Sequence, residues 1–524
     1  MASTRNPTLH DNLIGGVETT LPAHLLRPNQ WRSTHNMRFT PALTQVPKKK
    51  VNSTLTSKGL VLWLGTIPSY QPGFGRVLAL TPDCLCTING VNIKTGLITN
   101  SSYRRWATTL YNGSLYYCND LNPIRSTKGT DDTVVANAPS GRYLAHWYDH
   151  LVVGYPTYQG STYSDRVMFS DLYKFSQWEP DNIYEADHYD FVEWQSTDYP
   201  YAGITGLAKL GEFLWVFTPT AIVPMQYVGR PKVFQVVDQL VLRGVGNTYP
   251  WTLAAMNNVV FFFDGVEKSF FAFDGRAPQP VGEPIKQYMK DNLNTSPTLA
   301  AKMWASVDAE ATEVVWRFCS TVSTGDFDRC VRYNYRYNVW STGSDENVHA
   351  FCGSIFRILT AGELTGTAGA LTGTAGLLGT DGTVQPRMYG SVSGSDGKTY
   401  KDEVAGDAAS ALLTADDPVL ETGDFHYGHI GVEKETDFLL VNAYWYDGTK
   451  LQCQALGREH LSSTVDWTVA STIKGNWRPT LPEGRLTFPA VNGKVLRYRF
   501  VGTGLRGLRF DAFMDGVRGK GAEQ

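Results

Sequence analysis

The sequence predicts an all-β fold, a β-propeller-like body with additional β-sandwich or barrel elements and few short helices. One pattern, a short loop followed by four or five apolar and aromatic residues, recurs as His150-Leu-Val-Val-Gly-Tyr155, Glu212-Phe-Leu-Trp-Val-Phe217, Asn258-Val-Val-Phe-Phe-Phe263 and Glu313-Val-Val-Trp-Arg-Phe318. The starts of these segments lie about 62, 46 and 55 residues apart, near the roughly 40 to 50 residues of one four-stranded propeller blade with room for insertions. Composition agrees: 12% of the residues are aromatic and only 19% charged, against about a quarter charged in typical globular proteins. Glycine (50) and proline (26) punctuate the chain with turns, while long stretches of helical periodicity are hard to find. A single blade leaves its strand faces uncovered, so several must stack side by side.

Residues 1–50 are polar, proline-punctuated and non-periodic, with Leu21-Pro22, Arg27-Pro28, Trp31, Arg38-Phe39 and Lys48-Lys49-Lys50. Such a segment has too little apolar area to fold alone. Trp31 and Phe39 need something to cover them, which predicts an extended N-terminal arm docked on another surface. Its candidate partner-interface residues are Arg27, Trp31, Arg38, Phe39, Lys48, Lys49 and Lys50. Deleting residues 1–45 is then expected to leave the β body folded and to stop docking.

Residues 51–345 read as the propeller-like body. Strand signals run from Leu60-Val-Leu-Trp-Leu-Gly65 through Val77-Leu-Ala-Leu80, Cys84 to Asn89 and Leu115-Tyr-Tyr-Cys118, each bounded by turn residues as in hairpin-connected strands. Asp264-Gly265 and Asp274-Gly275 flank Ser269-Phe-Phe-Ala-Phe273, and Pro284 to Asp291 is a short helical exception. Residues 346–400 read as a Gly/Thr-rich insertion loop, carrying Leu364-Thr-Gly-Thr-Ala-Gly369 repeated as Leu371-Thr-Gly-Thr-Ala-Gly376. Residues 401–524 are a C-terminal β region that either closes the propeller, by a blade sharing strands from both termini, or forms a separate β domain. In Val495-Leu-Arg-Tyr-Arg-Phe500 the alternation of Arg497 and Arg499 with Leu496, Tyr498 and Phe500 predicts a half-buried strand with one wet face.

No catalytic constellation, cofactor motif or metal site stands out. The chain has no phosphate-binding G-x-x-x-x-G-K-[ST], no H-E-x-x-H, no EF-hand loop and no G-x-S-x-G. His426-x-x-His429 lacks a third ligand nearby. His146, Asp149 and His150 offer an acid/base pair, yet beside Trp147 and Tyr148 strand-edge packing is the simpler expectation. The acidic stretch from Glu179 to Glu193, with Asp181, Glu185, Asp187 and Asp190, allows a divalent cation or paired glycosidase carboxylates, but its interleaved aromatics fit a solvated loop on a blade. Ser393-Gly-Ser-Asp-Gly-Lys-Thr-Tyr400 has Ser, Asp and Gly in the wrong relative positions for the Asp-box turn of glycan-cleaving propellers.

The seven cysteines, Cys84, Cys86, Cys118, Cys319, Cys330, Cys352 and Cys453, have no zinc spacing, and buried free thiols are expected. A net charge of −3 argues against a protein held to nucleic acid by phosphate contacts, and does not exclude a mildly acidic channel through which nucleic acid slides. With no apolar signal core at the amino terminus and no run of 18 apolar residues, the expectation is a soluble protein made in a cytosol without membrane insertion.

Arg166-Val-Met-Phe-Ser-Asp171, followed by Trp178 and Asn182, resembles a motif of the tail hub or nozzle proteins of short-tailed bacteriophages, also called packaged-DNA stabilisation proteins. Ile204-Thr-Gly-Leu, Leu214-Trp-Val-Phe217, Ala221 to Gly229, Phe234, Arg243-Gly-Val-Gly246, Phe261-Phe-Phe-Asp-Gly265 and Phe273-Asp-Gly275 are similar to that family's consecutive strands. Leu21-Pro22 with Asn36-Met-Arg-Phe39, and Gly493 to Phe500, are similar to its two ends. The resemblance implies a non-enzymatic virion tail protein, synthesised in the host cytoplasm, that forms a homo-oligomeric and typically hexameric ring below portal and adaptor. It further implies contacts with the adaptor or connector ring, with tail fibres or spikes and with a plug or needle. Phage DNA would pass through the lumen without sequence specificity. A different expectation is a carbohydrate-binding or glycan-cleaving propeller of a receptor-binding tail component, and another is an adaptor propeller that docks peptides.

Overall fold

The computed structural model describes residues 6–40, 42–55, 59–67, 76–88, 90–99, 105–180, 184–191, 203–344, 347–353, 355–356, 384–385, 387–390, 397–403, 417–427, 432–445, 450–459, 467, 471–474 and 485–520. The chain is all-β, as the sequence predicts, with helix confined to short pieces such as Lys286–Asn292 and Pro297–Ala300.

Among the described residues, seven four- or five-stranded antiparallel sheets follow one another along the chain. They begin at Trp63–Ile67, Ala107–Tyr111, Ser140–Trp147, Gly206–Leu210, Ala254–Met256, Trp304–Asp308 and Ala350–Cys352. In the first six, the four main strands pair in chain order, so each sheet is a meander, with some of its hairpins closed by tight turns. Asn112 (φ 45°) and Gly113 (φ 72°) make one of these turns, with the left-handed geometry that a two-residue hairpin requires. The four recurring segments of the sequence are the second strands of the third to sixth sheets: His150–Tyr158, Phe213–Phe217, Val259–Asp264 and Glu313–Phe318. Each is flanked by a strand on both sides, and every residue of Glu313–Phe318 is buried. Neighbouring sheets cover both faces of such a strand, which explains runs of apolar residues rather than alternation.

The sheets touch in a closed circuit. The second contacts the third, the third the fourth, and so on to the sixth, while the seventh contacts the first. Leu62, Leu78, Trp106 and Tyr117 join the first to the second in one core, and Trp304, Cys319, Tyr389 and Tyr400 join the sixth to the seventh in another. The seventh sheet is completed from far away in sequence. Its strands Met388–Gly390 and Lys398–Asp402 are joined by Lys49–Thr54, which pairs antiparallel with Lys398–Asp402.

A second body consists of two further sheets. Met37–Phe39, Leu43–Gln45 and Asn6–His10 pair, directly or through each other, with Arg509–Lys520, Glu433–Tyr444 and Arg485–Gly493. Trp31–His35 joins Val419–Thr422, Val495–Thr503, Lys450–Arg458 and Ser471–Lys474. One core cluster holds Trp31, Phe39, Leu439, Tyr498, Phe500 and Phe510 of these sheets together with Phe261, Phe270, Trp316, Tyr333 and Trp340 of the fifth and sixth circuit sheets. The circuit and the second body therefore share buried surface.

Several expectations are corrected here. The segment 1–50, expected as an arm on another surface, from Asn6 onward supplies strands to its own chain, because its scattered apolar residues find partners among the C-terminal strands. The ends of the 346–400 segment are strands of the seventh sheet, while its Leu-Thr-Gly-Thr-Ala-Gly repeat lies outside the described residues. The wet face expected of Val495–Thr503 is lost at Arg497, which is buried and paired with Asp424 at 2.7 Å and Glu421 at 3.1 Å. Among the described residues, the seventh sheet is completed by an N-terminal strand and takes no strand beyond Asp402, while the later C-terminal strands form the two-sheet body.

Candidate functional site

The first strands of the circuit sheets converge on one cavity of about 410 Å³, to which every sheet contributes. Close approach there depends on small residues. A Cβ on Gly206 would lie 1.9 Å from Leu253 Cδ1, so the fourth and fifth sheets meet at a glycine. Trp304 forms part of the wall, and its indole Nε1 donates to the Val348 carbonyl at 3.2 Å. Two guanidinium groups lie over its ring, Arg105 at 3.9 Å and Arg317 at 4.7 Å from the centroid. Arg105 Nη1 donates to the His349 carbonyl at 2.6 Å and more weakly to that of Leu62 at 3.4 Å. Burial, and then the charge of Arg317, pull the Arg105 pKa well below its usual range. Arg142 also lines the cavity, stacked over Tyr155 at 3.7 Å, with its Nε 3.7 Å from Asp120. Trp63, Trp106, Tyr143, Trp251 and Phe351 add to the aromatic lining, and no aspartate or glutamate is among its described residues.

The residues proposed from sequence for a partner interface are mostly occupied within the chain. Trp31 is 2% exposed, donates its indole N–H to the Leu13 carbonyl at 2.9 Å and meets Phe510 edge to face. Phe39 is buried beside it in the same core. Arg38 is buried and faces Glu313 at 3.3 Å and Asp308 at 3.8 Å. Asp308 is also held by Arg387 at 2.6 Å, and Arg387 reaches Asp402 at 3.3 Å. Asp402 accepts from the Tyr389 hydroxyl at 2.8 Å, and the buried Lys49 lies over the Tyr389 ring. Burial pushes the carboxyls of Glu313 and Asp402 upward, opposed in both by Arg38. This network fastens the N-terminal segment to the sixth and seventh sheets. Lys48 is half-buried, its backbone N–H bonded to Glu403, which pairs with Arg506 at 2.7 Å. Lys50 is half-buried and Arg27 is exposed. Trp31, Arg38, Phe39 and Lys49 are thus corrected from interface residues to internal braces.

The acid/base candidates are likewise built into packing. His146 lies 3.7 Å from Asp149, is stacked under Tyr111 at 4.0 Å, and has its pKa lowered chiefly by burial. Asp149 accepts from Tyr173 at 2.8 Å. His150 is fully buried, with Nδ1 2.6 Å from the Ser170 carbonyl. In the acidic stretch, Asp190 forms a two-point pair with Arg166 at 2.6 and 2.9 Å, while Glu185 meets Tyr227 and Arg230. Asp181, Asn182, Glu193 and His429 lie outside the described residues. The Arg166-to-Asp171 motif works inside the third sheet: Asp171 accepts from the Glu185 backbone at 2.6 Å, and Ser170 Oγ from that of Leu151 at 3.0 Å. Among the described residues, no group of three or more His, Cys, Asp and Glu is placed to hold a metal ion. All seven cysteines are free. Burial pushes the Cys118 thiol up to about 12 and those of Cys319 and Cys352 to about 11.

Sequence reasoning missed Arg105, Trp251 and Trp304, which lie far apart along the chain. The available signal was positional, since each sits at or just before the first strand of a sheet.

No family model matches the chain, and no curated protein matches it. Among solved structures, PorZ, described as an essential bacterial surface component of the type-IX secretion system of Porphyromonas gingivalis, is 9% identical over 72% of this chain and 43% of that one, with a TM-score of 0.34. The chain therefore spans less than half the length of PorZ. A putative exported protein of Bacteroides fragilis is 9% identical over 55% of this chain and 90% of that one, with a TM-score of 0.28. Likeness at this level carries no argument about function.

Proposed function

We propose that the seven-sheet circuit is a propeller and that the chain is a structural tail nozzle or hub protein of a short-tailed phage, assembling into a ring that extends the DNA channel. The sequence resemblance supplies the family. The observation that carries a mechanical role is the interlocking of the chain ends: Lys49–Thr54 completes the seventh sheet, while both termini are woven into the second body. Pulling the circuit open requires breaking that strand pairing and the buried Arg38–Glu313 and Arg387–Asp308 contacts together. Resistance to force is set by the unfolding barrier, and such a closure raises it.

The cavity on the circuit axis is not the DNA path in this proposal. At about 410 Å³ it has no room for a duplex, whose major groove alone is about 12 Å wide. The lumen is formed between copies, and a net charge of −3 per chain suits it, because a wall without many phosphate contacts lets DNA slide. The adaptor ring, fibres or spikes and plug are the partners of this reading, retained from the resemblance.

Particle mass by light scattering, combined with negative-stain images of the full chain alone and mixed with its adaptor ring, tests the proposal. Closed rings with an open axis, six-fold by expectation, support it. A monomer under both conditions overturns it.

A further inference from the structure

We propose that the axial cavity is a binding site for a small organic carboxylate carried on a compact, partly apolar body. Arg105 is the central observation. Its guanidinium is stacked on Trp304 and tethered through Nη1 to two backbone carbonyls, and no carboxylate among the described residues pairs with it. Its charged neighbour is another cation, Arg317, on the same indole ring. A guanidinium stays protonated in proteins, so a half-buried positive charge stands here with no carboxylate partner among the described residues. Buried ions are ordinarily paired, because desolvation is costly. Arg142, itself 3.7 Å from Asp120, is a second guanidinium in a lining with no acid among its described residues.

The shape of the site selects the ligand. With one face of Arg105 on the indole and Nη1 committed to carbonyls, its remaining N–H groups form a planar edge suited to a carboxylate. Trp251 and Phe351 offer apolar walls to whatever carries that group. A volume of about 410 Å³ lies toward the small end of small-molecule sites, which fits one ring and its substituents rather than an oligomer. This assignment stands independently of ring assembly, since the cavity lies within one chain.

Isothermal titration of the full chain with two matched pairs tests it: glucuronate against glucose, and benzoate against benzamide. At least one carboxylate is expected to bind at least roughly tenfold more tightly than its neutral twin, the loss associated with one charge-assisted hydrogen bond. Arg105→Gln should abolish that preference without weakening the neutral twin. Trp251→Leu should weaken the carboxylate, and it serves as the deciding variant if Arg105→Gln does not fold. Equal affinity within both pairs, no binding of either carboxylate at millimolar concentration, an undiminished preference in a folded Arg105→Gln, or, where Trp251→Leu decides, an undiminished carboxylate affinity would overturn the proposal. Inorganic phosphate is titrated alongside, and phosphate binding without either carboxylate also rejects it.

Discussion

At the scale of single residues, the chain turns its polar groups inward as fasteners. Arg38 bridges the N-terminal segment to Glu313 and Asp308, so Arg38→Met leaves a buried carboxylate without its partner. The expected cost is about 3–5 kcal/mol in urea unfolding. His349 is the sharpest pH reporter. Burial, followed by the charges of Arg105 and Lys302, pulls its pKa down to about 3, against about 6.5 when unfolded. A depressed histidine contributes stability above the unfolded value, and that contribution is lost as pH falls from about 6.5 toward 3, at up to about 1.4 kcal/mol per pH unit. Denaturation profiles of His349→Gln across that range should be flatter than those of the parent chain. Trp31 and Phe39 were recognisable from sequence as residues in need of cover. Their partners were not, because Phe510 lies more than 450 positions away and no local pattern points to it.

At the scale of elements, hairpins were legible and long-range pairings were not. The apolar second strands, the Asp264-Gly265 turn and the short helix near Lys286 follow from local composition and turn chemistry. The pairing of Lys49–Thr54 with Lys398–Asp402 is invisible locally, since strand partners carry no address in sequence. Removing residues 1–45 strips Trp31, Met37, Phe39 and Leu43 from the shared core. The expected outcome is loss of soluble folded protein, the reverse of what a free arm predicts, and expression with circular dichroism checks it. Two strands of the second body cross closely at Gly457, where a Cβ would lie 2.1 Å from the Asn492 carbonyl oxygen. Backbone offers little room to yield, so Gly457→Ala should destabilise by about 1–3 kcal/mol, measured as a lowered urea midpoint.

At the scale of the whole molecule, one core joins the second body to the fifth and sixth circuit sheets through Phe270, Trp316 and Trp340 on one side and Phe39 and Phe510 on the other. Calorimetry should therefore record one cooperative transition. Two well-separated transitions would show that the bodies unfold independently. The sequence by itself determined the β class, the recurrence of sheet-forming units and the buried state of six of the seven thiols, because strand propensity, turn residues and hydrophobicity act over a few neighbouring residues. Tertiary structure alone decided that both chain ends close the architecture, that Arg497 is paired rather than wet, and that Arg105, Arg142, Trp251 and Trp304 gather around one cavity. Those outcomes depend on which surfaces meet when the sheets circle back, and burial and charge pairing between distant segments are settled only there.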